Sequence, residues 1–172
     1  MITLFAYLTG RKDELQLQES ASSIIYVFRL IIVAASRVPI KRETPLPTHC
    51  YHYITKSEPT RHHSSVSTCC ENDYSLSAGW YRFTGSGGTQ LLMKPTAANG
   101  FCGASCPGWW NGTLPNRISD TTVGSVLFDN SDSCTGSIYP ILATNCSGFY
   151  VFYLSPTSCC SSYRYCTMNG TD

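Results

Sequence analysis

Hydrophobic residues in the second half of the chain form short runs that are separated by glycine, serine, threonine and asparagine. The segment GFYVFYL, residues 148–154, is the strongest strand candidate. Successive side chains of a strand point to opposite faces, so its even-numbered and odd-numbered residues form two apolar rows. We therefore predict a strand that is covered on both faces.

A second pattern is aromatic and ends in glycines. AGWYRF, residues 78–83, has the composition of a strand, and GSGG at residues 85–88 is typical of a flexible turn. The next segment, TQLLMK at residues 89–94, is apolar again. This arrangement predicts a hairpin in which residues 89–94 return alongside residues 78–83.

Two further β-rich segments are TVGSVLF at residues 122–128 and SIYPILA at residues 137–143. Pro140 has no backbone N–H to donate, so the second segment is predicted to be an edge strand or an irregular one. No sustained helical period follows Cys50. The pattern as a whole predicts a mainly β fold, a small irregular domain with short antiparallel hairpins.

The N-terminal part of the chain differs, because a polar stretch precedes one apolar run, IIYVFRLIIVAAS at residues 24–36. A run of about a dozen residues is shorter than the roughly 20 that span a bilayer. It has the length and the small final residues of a signal-peptide core, although Arg29 interrupts it. A secretion signal, an ordinary helix and a start placed upstream of the true one remain open. Membrane association is expected only if residues 24–35 remain uncleaved.

Composition narrows the class of protein. Charged residues make up 13% of the 172 residues and the net charge is +1, so no basic surface is expected and nucleic acid is not an expected partner. A chain of this length supports one main core. All ten cysteines lie after residue 49. We therefore predict an N-terminal segment at 1–49, a cysteine-rich domain at 50–167 and a C-terminal tail at 168–172.

The cysteine density of residues 50–167 is typical of a disulfide-rich domain that folds in an oxidising, extracellular compartment. Ten cysteines can pair in roughly 945 ways, so the pairing cannot be read from the sequence. Adjacent cysteines rarely bond to each other, so each doublet is expected to join two neighbouring segments to one point. The predicted disulfide cysteines are Cys50, Cys69, Cys70, Cys102, Cys106, Cys134, Cys146, Cys159, Cys160 and Cys166.

A zinc site is the competing interpretation of the cysteines. It is suggested by His49, Cys50 and His52 and by the Cys-x3-Cys spacing of Cys102 and Cys106. The paired Cys-x2-Cys units that are typical of structural zinc sites are absent from the sequence. Disulfides are therefore favoured, and we predict no metal and no cofactor.

Catalysis would need a nucleophile beside an activating base. The histidines all precede Cys69 in a polar run that is best interpreted as a solvated loop, and no sequence signature of a nucleophile follows. We therefore predict no catalytic residue and no enzymatic activity. The four histidines are His49, His52, His62 and His63.

The most unusual stretch is CPGWWNGTLP, residues 106–115, in which two tryptophans precede an Asn-Gly-Thr sequon at Asn111. In a secreted chain this asparagine is an acceptor for an N-linked glycan and must face solvent. We expect one of Trp109 and Trp110 to pack beneath the turn and the other to lie near the sugar. Burial of both tryptophans, and an unglycosylated sequon, are the alternatives that remain open. Further sequons begin at Asn145 and Asn169.

Tyr81 and Arg82 in the predicted strand at 78–83 also raise the question of ligand binding. An arginine that stacks over aromatic neighbours is more often a packing contact than a ligand contact. We therefore interpret both residues as part of the packing.

The order of these motifs resembles a known extracellular module. CYHYITKSEPTR, CC, GWYRFTGSGG, PGWWNGTLP, GFYVFYLSPTSC and RYC follow one another over residues 50–167. This order is similar to the eight-cysteine domain, or decoy module, shared by uromodulin, the pancreatic zymogen-granule major glycoprotein and the liver-specific zona pellucida domain protein. The segment LFDNSDSC at residues 127–134 departs from the cysteine and tryptophan pattern of that family. No disulfide pairing is therefore transferred from it.

The resemblance implies a secreted or extracellular glycoprotein binding module. In that family the loop matching Asn111 can present its oligosaccharide to lectin-type adhesins of microbes, and Trp109 and Trp110 are then the candidate binding surface. The expected partner is such an adhesin or another extracellular protein. The alternative is a structural or interaction spacer domain of an extracellular matrix or cell-surface protein that recognises nothing through a glycan.

Overall fold

The computed structural model describes Tyr26 and residues 45–66, 71–96, 101–128, 134–158 and 162–170. The chain divides into two compact units, Met1–Glu43 and Thr44–Asp172. Tyr26 is helical, and the rest of the segment predicted to be a signal or a helix, residues 24–36, lies outside the described residues. All of the strands named below belong to the second unit.

The second unit is built from strands and single turns of 3-10 helix, which confirms the prediction of a mainly β, disulfide-rich fold. The 3-10 turns are Thr48–Cys50, Pro59–Arg61 and Gly85–Gly87. The strands are β1 (Ile54–Lys56), β2 (Gly79–Phe83), β3 (Gln90–Leu91), β4 (Cys106–Asn111), β5 (Thr121–Leu127), β6 (Ser137–Asn145), β7 (Tyr150–Leu154), β8 (Tyr163–Tyr165) and β9 (Thr167–Met168).

Seven of these strands form one sheet in the order β1-β2-β7-β6-β5-β4-β8, and β3 pairs with β9 in a separate two-stranded sheet. The four consecutive strands from β4 to β7 are antiparallel neighbours, whereas β1–β2 and β4–β8 are parallel pairs. The sheet therefore contains short antiparallel hairpins, as the turn residues predict.

The predicted hairpin between residues 78–83 and 89–94 is wrong. β2 pairs with β1 and β7, while β3 pairs with β9. The reason is the packing of the intervening glycines. The carbonyl of Gly87 accepts a hydrogen bond from the Thr167 hydroxyl, and the backbone of Gly88, at a φ of 95°, packs on Met168. These contacts direct the chain to β9.

The predicted strand at 137–143 is longer than expected and is not at an edge, because β6 lies between β5 and β7. Its irregularity is confirmed. The β5–β6 register shifts between Gly124 and Val126, opposite the part of β6 that contains Pro140. β7 pairs only with Leu142–Asn145, so Pro140 faces no partner on that side. The sheet therefore accommodates the missing N–H at a bulge.

The two apolar faces of β7 are covered by different clusters, as the sequence predicts. Phe152 and Leu154 lie in the main core. Val151 and Phe149 lie in a second cluster. The residues that complete the main core are Leu76, Tyr81, Phe83, Leu91, Trp110, Val126, Phe128, Ile141, Ala143 and Tyr165.

Three disulfides connect distant segments and account for six of the ten cysteines that the sequence predicts to be bridged. The bridges are Cys50–Cys146, Cys102–Cys166 and Cys106–Cys134, with Cα–Cα distances of 5.4, 5.7 and 5.4 Å. Because their sulfurs are bonded to each other, these cysteines are not available as zinc ligands. The doublets at 69–70 and 159–160 lie outside the described residues.

Candidate functional site

The sequon begins at the last residue of β4, where side-chain environments alternate sharply. Trp110 is 1% exposed and lies in the main core. Trp109 points to the opposite face, where it is partly buried against the cluster that contains the Cys102–Cys166 bridge. Asn111 is exposed. By the two-residue period of a strand, Asn111 is on the side of Trp109.

The indole of Trp110 is fixed by two glycines that leave it room. A Cβ atom at Gly112 would lie 2.7 Å from Trp110 Cε2, and one at Gly124 would lie 2.7 Å from Trp110 Cη2. On its other side the ring meets Phe152 edge to face, with ring centroids 6.4 Å apart. Trp110 is therefore an anchor beneath the sequon. The prediction that it belongs to a binding surface is wrong, because it has no accessible face.

The loop that follows Asn111 is held at several points. The carbonyl of Thr113 accepts a hydrogen bond from the Thr122 hydroxyl at 2.6 Å. The carbonyl of Pro115, a buried residue, accepts hydrogen bonds from Asn145 Nδ2 at 3.1 Å and from the Tyr150 hydroxyl at 3.4 Å. A rigid core residue therefore precedes the acceptor asparagine, and an anchored loop follows it.

The other two sequon asparagines have different environments. Asn145 is partly buried, donates to Pro115 and accepts a hydrogen bond from the backbone N–H of Ser147 at 3.0 Å. Its neighbour Cys146 is bridged to Cys50. Asn169 is partly buried, with its Nδ2 3.4 Å from His62 Nε2. Asn111 is therefore the acceptor that the fold exposes most.

The sequence did not predict a buried ion pair between Arg61 and Asp73, each only 3% exposed. Arg61 donates from both terminal nitrogens to the two carboxylate oxygens, at 2.7 and 2.9 Å. It also donates to the carbonyl of Tyr165, whose N–H donates to Asp73. Burial alone would lower the pKa of Arg61, but the hydrogen bonds and charge of Asp73 raise it above its ordinary value.

A second buried arginine, Arg164, lies near this pair and is 1% exposed. It donates to the carbonyl of Cys102 at 2.7 Å and to the Thr60 hydroxyl at 3.1 Å. Burial and the positive charge of Arg61 lower its pKa. Its hydrogen bonds join the segment around Thr60 to the segment around Cys102, so its role is structural.

The histidines occupy different environments, which corrects the prediction of one solvated loop. His49 stacks on Trp80, with ring centroids 3.8 Å apart, and is 2.9 Å from the Thr144 hydroxyl. Burial lowers the pKa of His49. His52 is exposed. In the part of the chain that the structure describes, no group of three or more His, Cys, Asp or Glu residues is placed to hold a metal ion.

Tyr81 and Arg82 belong to the packing, in agreement with their interpretation from the sequence. Tyr81 is 2% exposed and donates its hydroxyl proton to the carbonyl of Ser77. The guanidinium of Arg82 lies 3.8 Å from the centroid of the Phe149 ring and donates to the Tyr53 hydroxyl at 2.9 Å. Arg82 also lines a cavity between the ends of β2 and β7.

The fold and the site define a class of protein, a disulfide-bonded β domain with an asparagine acceptor exposed at the end of a strand. Residues 81–167, just over half of the chain, match the family model of the uromodulin-like, eight-cysteine domain. The chain belongs to this family. In the described residues no helix is long and apolar enough to cross a bilayer.

Curated relatives agree with this assignment. Uromodulin of Mus musculus is 33% identical over 91 residues, which are 52% of this chain and 14% of that protein. Uromodulin of Rattus norvegicus is 33% identical over 100 residues, which are 57% of this chain and 15% of that protein. The matched region therefore spans about one seventh of the length of these relatives.

Proposed function

We propose that the domain is an extracellular glycoprotein binding module that carries an N-linked glycan at Asn111 and presents it to lectin-type adhesins. The observation that carries the proposal is the exposure of Asn111 directly after a fully buried anchor, Trp110. Membership of the uromodulin-like family and the disulfides support an extracellular location. The module acts by binding and catalyses no reaction.

Rigidity of the acceptor supports presentation of the glycan. The backbone of β4 pairs with β5 up to Asn111 and Ser125, and the carbonyl of Thr113 is held by Thr122. A glycan attached here starts from a fixed direction, so a lectin meets the sugar with less ordering cost than on a flexible tail. The partly buried Trp109, on the same side of β4, supplies apolar area beside the attachment point.

The second candidate function is a structural spacer in a longer extracellular protein. Burial of Trp110 favours it, since a core tryptophan contributes to stability without any ligand. The small share of the relatives that this region covers also fits one module among several. In this case any glycan at Asn111 serves folding and solubility alone.

Lectin binding by sequon variants tests the proposal. The full chain is secreted from eukaryotic cells as wild type, Thr113→Ala and Thr113→Ser, and binding to immobilised lectins and lectin-type adhesins is measured. Thr113→Ser keeps the sequon and should bind like the wild type, while Thr113→Ala should lose the signal. Thr171→Ala removes the sequon at Asn169 and serves as the control. Equal binding by Thr113→Ala and wild type would favour the spacer function.

A further inference from the structure

A cavity of about 350 Å³ lies where the ladder between β2 and β7 opens. The two strands pair from Gly79–Leu154 to Tyr81–Phe152, yet β2 continues to Phe83 and β7 already begins at Tyr150. The ends of the strands therefore separate. Thr89 and Gln90, at the start of the small β3–β9 sheet, line the same cavity.

Gln90 is the first indication that this cavity holds a ligand. The residue is only 9% exposed and lines the cavity. Its Oε1 is near Gly170, where a Cβ atom would be 3.4 Å away. Within the described part of the chain its amide group forms no hydrogen bond. A largely buried amide without a protein partner is costly unless water or a ligand satisfies it.

Arg82 gives the cavity its charge. Among the described lining residues it is the one charged side chain, so the cavity attracts an anion. Stacking on Phe149 and the hydrogen bond to Tyr53 fix the guanidinium before any ligand arrives. Its Nε is buried and has no acceptor in the described residues. Arginine is suited to carboxylate recognition because its planar group offers several donors.

The remaining lining groups indicate the size and polarity of the ligand. The hydroxyl-bearing residues Thr84 and Thr89 and the Gln90 amide suit a molecule rich in hydroxyl groups, and Tyr150 offers an apolar wall. A volume of about 350 Å³ is near the lower end of the roughly 300–1,000 Å³ typical of ligand sites. It therefore fits a single sugar ring.

We propose that this cavity binds a sugar acid, a monosaccharide-sized ligand whose carboxylate pairs with Arg82 and whose hydroxyl groups bond to the Gln90 amide. The site shares no residue with the sequon at Asn111. It is therefore a second recognition site of the domain, and it does not depend on the glycan.

Titration of the full chain with glucuronate tests the proposal, with glucose as the neutral control and acetate as the control without hydroxyl groups. Binding is followed by isothermal titration calorimetry and by saturation-transfer-difference NMR. We expect saturable binding of glucuronate, at least about tenfold tighter than that of glucose or acetate. Raising the salt concentration should weaken it.

Variants of Gln90 locate the binding. Gln90→Leu removes the amide, and Gln90→Glu keeps the shape but introduces a negative charge beside Arg82. Both should weaken glucuronate binding at least about tenfold, while Asn111→Gln should leave it unchanged. Thermal unfolding and near-UV circular dichroism establish that each variant is folded. If Gln90→Leu does not fold, Gln90→Glu and the comparison of ligands on the wild type decide.

Three results would each overturn the proposal. The first is the absence of saturable glucuronate binding to the wild type. The second is binding of glucose or acetate as tight as that of glucuronate. The third is glucuronate binding that a folded Gln90→Glu variant leaves intact.

Discussion

Trp110 and Asn111 are adjacent residues with opposite environments, and the strand period explains why. Trp110 points into the main core and the next side chain leaves it, so the acceptor starts from a residue that cannot move. The glycines at 112 and 124 are part of this arrangement, because a methyl group at either position would enter the space of the indole.

Gly124→Ala should therefore destabilise the domain. The added Cβ would lie 2.7 Å from Trp110 Cη2 and 2.9 Å from the carbonyl oxygen of Asn111, so the core must shift. We expect a loss of about 1–3 kcal/mol in the free energy of unfolding, measured in urea. The matched control is Gly79→Ala in β2, where no atom lies within 4 Å of the new Cβ. Equal stability of the two variants would contradict the account of Trp110.

Asp73→Ala should cost considerably more, since it leaves the buried guanidinium of Arg61 without its counter-ion. We expect about 3–5 kcal/mol in the free energy of unfolding. Glu58→Gln is the control. Its carboxylate is 3.5 Å from Arg61 Nε and its side chain is 40% exposed, so the loss should stay below about 1 kcal/mol. Similar losses in both variants would show that the buried pair has no special role.

His49 should make stability depend on pH. Burial against Trp80 lowers its pKa in the folded state below the ordinary 6.5, so the unfolded chain binds the proton more readily. The contribution of the neutral ring is complete above pH 6.5 and is lost as pH falls through the folded-state pKa. His49→Phe keeps a ring on Trp80 and should flatten the decline in melting temperature below pH 6.5. His52→Gln, at an exposed position, should retain that decline.

At the scale of elements, the strands with the clearest alternation could be predicted from the sequence and their partners could not. The period of β7 gives both of its faces, and the bulge near Pro140 follows from the missing N–H. The failure at β2 and β3 has a physical cause. Turn residues at 85–88 permit a hairpin, but the contact of Gly88 with Met168, about 80 residues away, decides the pairing.

The candidate site shows the same division. The exposure of Asn111 follows from its sequon and a local strand period. The ion pair of Arg61 with Asp73 could not be predicted, because it depends on the backbone of Tyr165, which the sheet brings to it from the other end of the domain. The opening between β2 and β7 likewise depends on where a ladder ends, and no local pattern specifies that.

The disulfides should differ in their contribution to stability. Cys50–Cys146 spans 96 residues and joins the first 3-10 turn to the end of β6, whereas Cys106–Cys134 spans 28 residues. A longer closed loop removes more entropy from the unfolded chain. The Cys50→Ala/Cys146→Ala double variant should lose about 2–5 kcal/mol in urea unfolding, more than the Cys106→Ala/Cys134→Ala variant. The reverse order would show that native contacts outweigh loop closure here.

At the scale of the whole molecule, the domain combines a core divided among several clusters, covalent links between distant strands and one well-exposed glycan acceptor. Such a domain keeps its shape outside the cell without a large core. Its proposed recognition sites, the sequon at Asn111 and the cavity at Gln90, are formed by different elements. One module therefore offers two independent surfaces to extracellular partners.

Glycan occupancy at Asn111 tests the central claim most directly. The full chain is secreted from eukaryotic cells and studied by intact and peptide mass spectrometry under non-reducing conditions, before and after enzymatic removal of N-glycans. We predict an occupied Asn111 together with the bridges Cys50–Cys146, Cys102–Cys166 and Cys106–Cys134. A secreted, fully oxidised protein in which Asn111 carries no glycan would contradict the account.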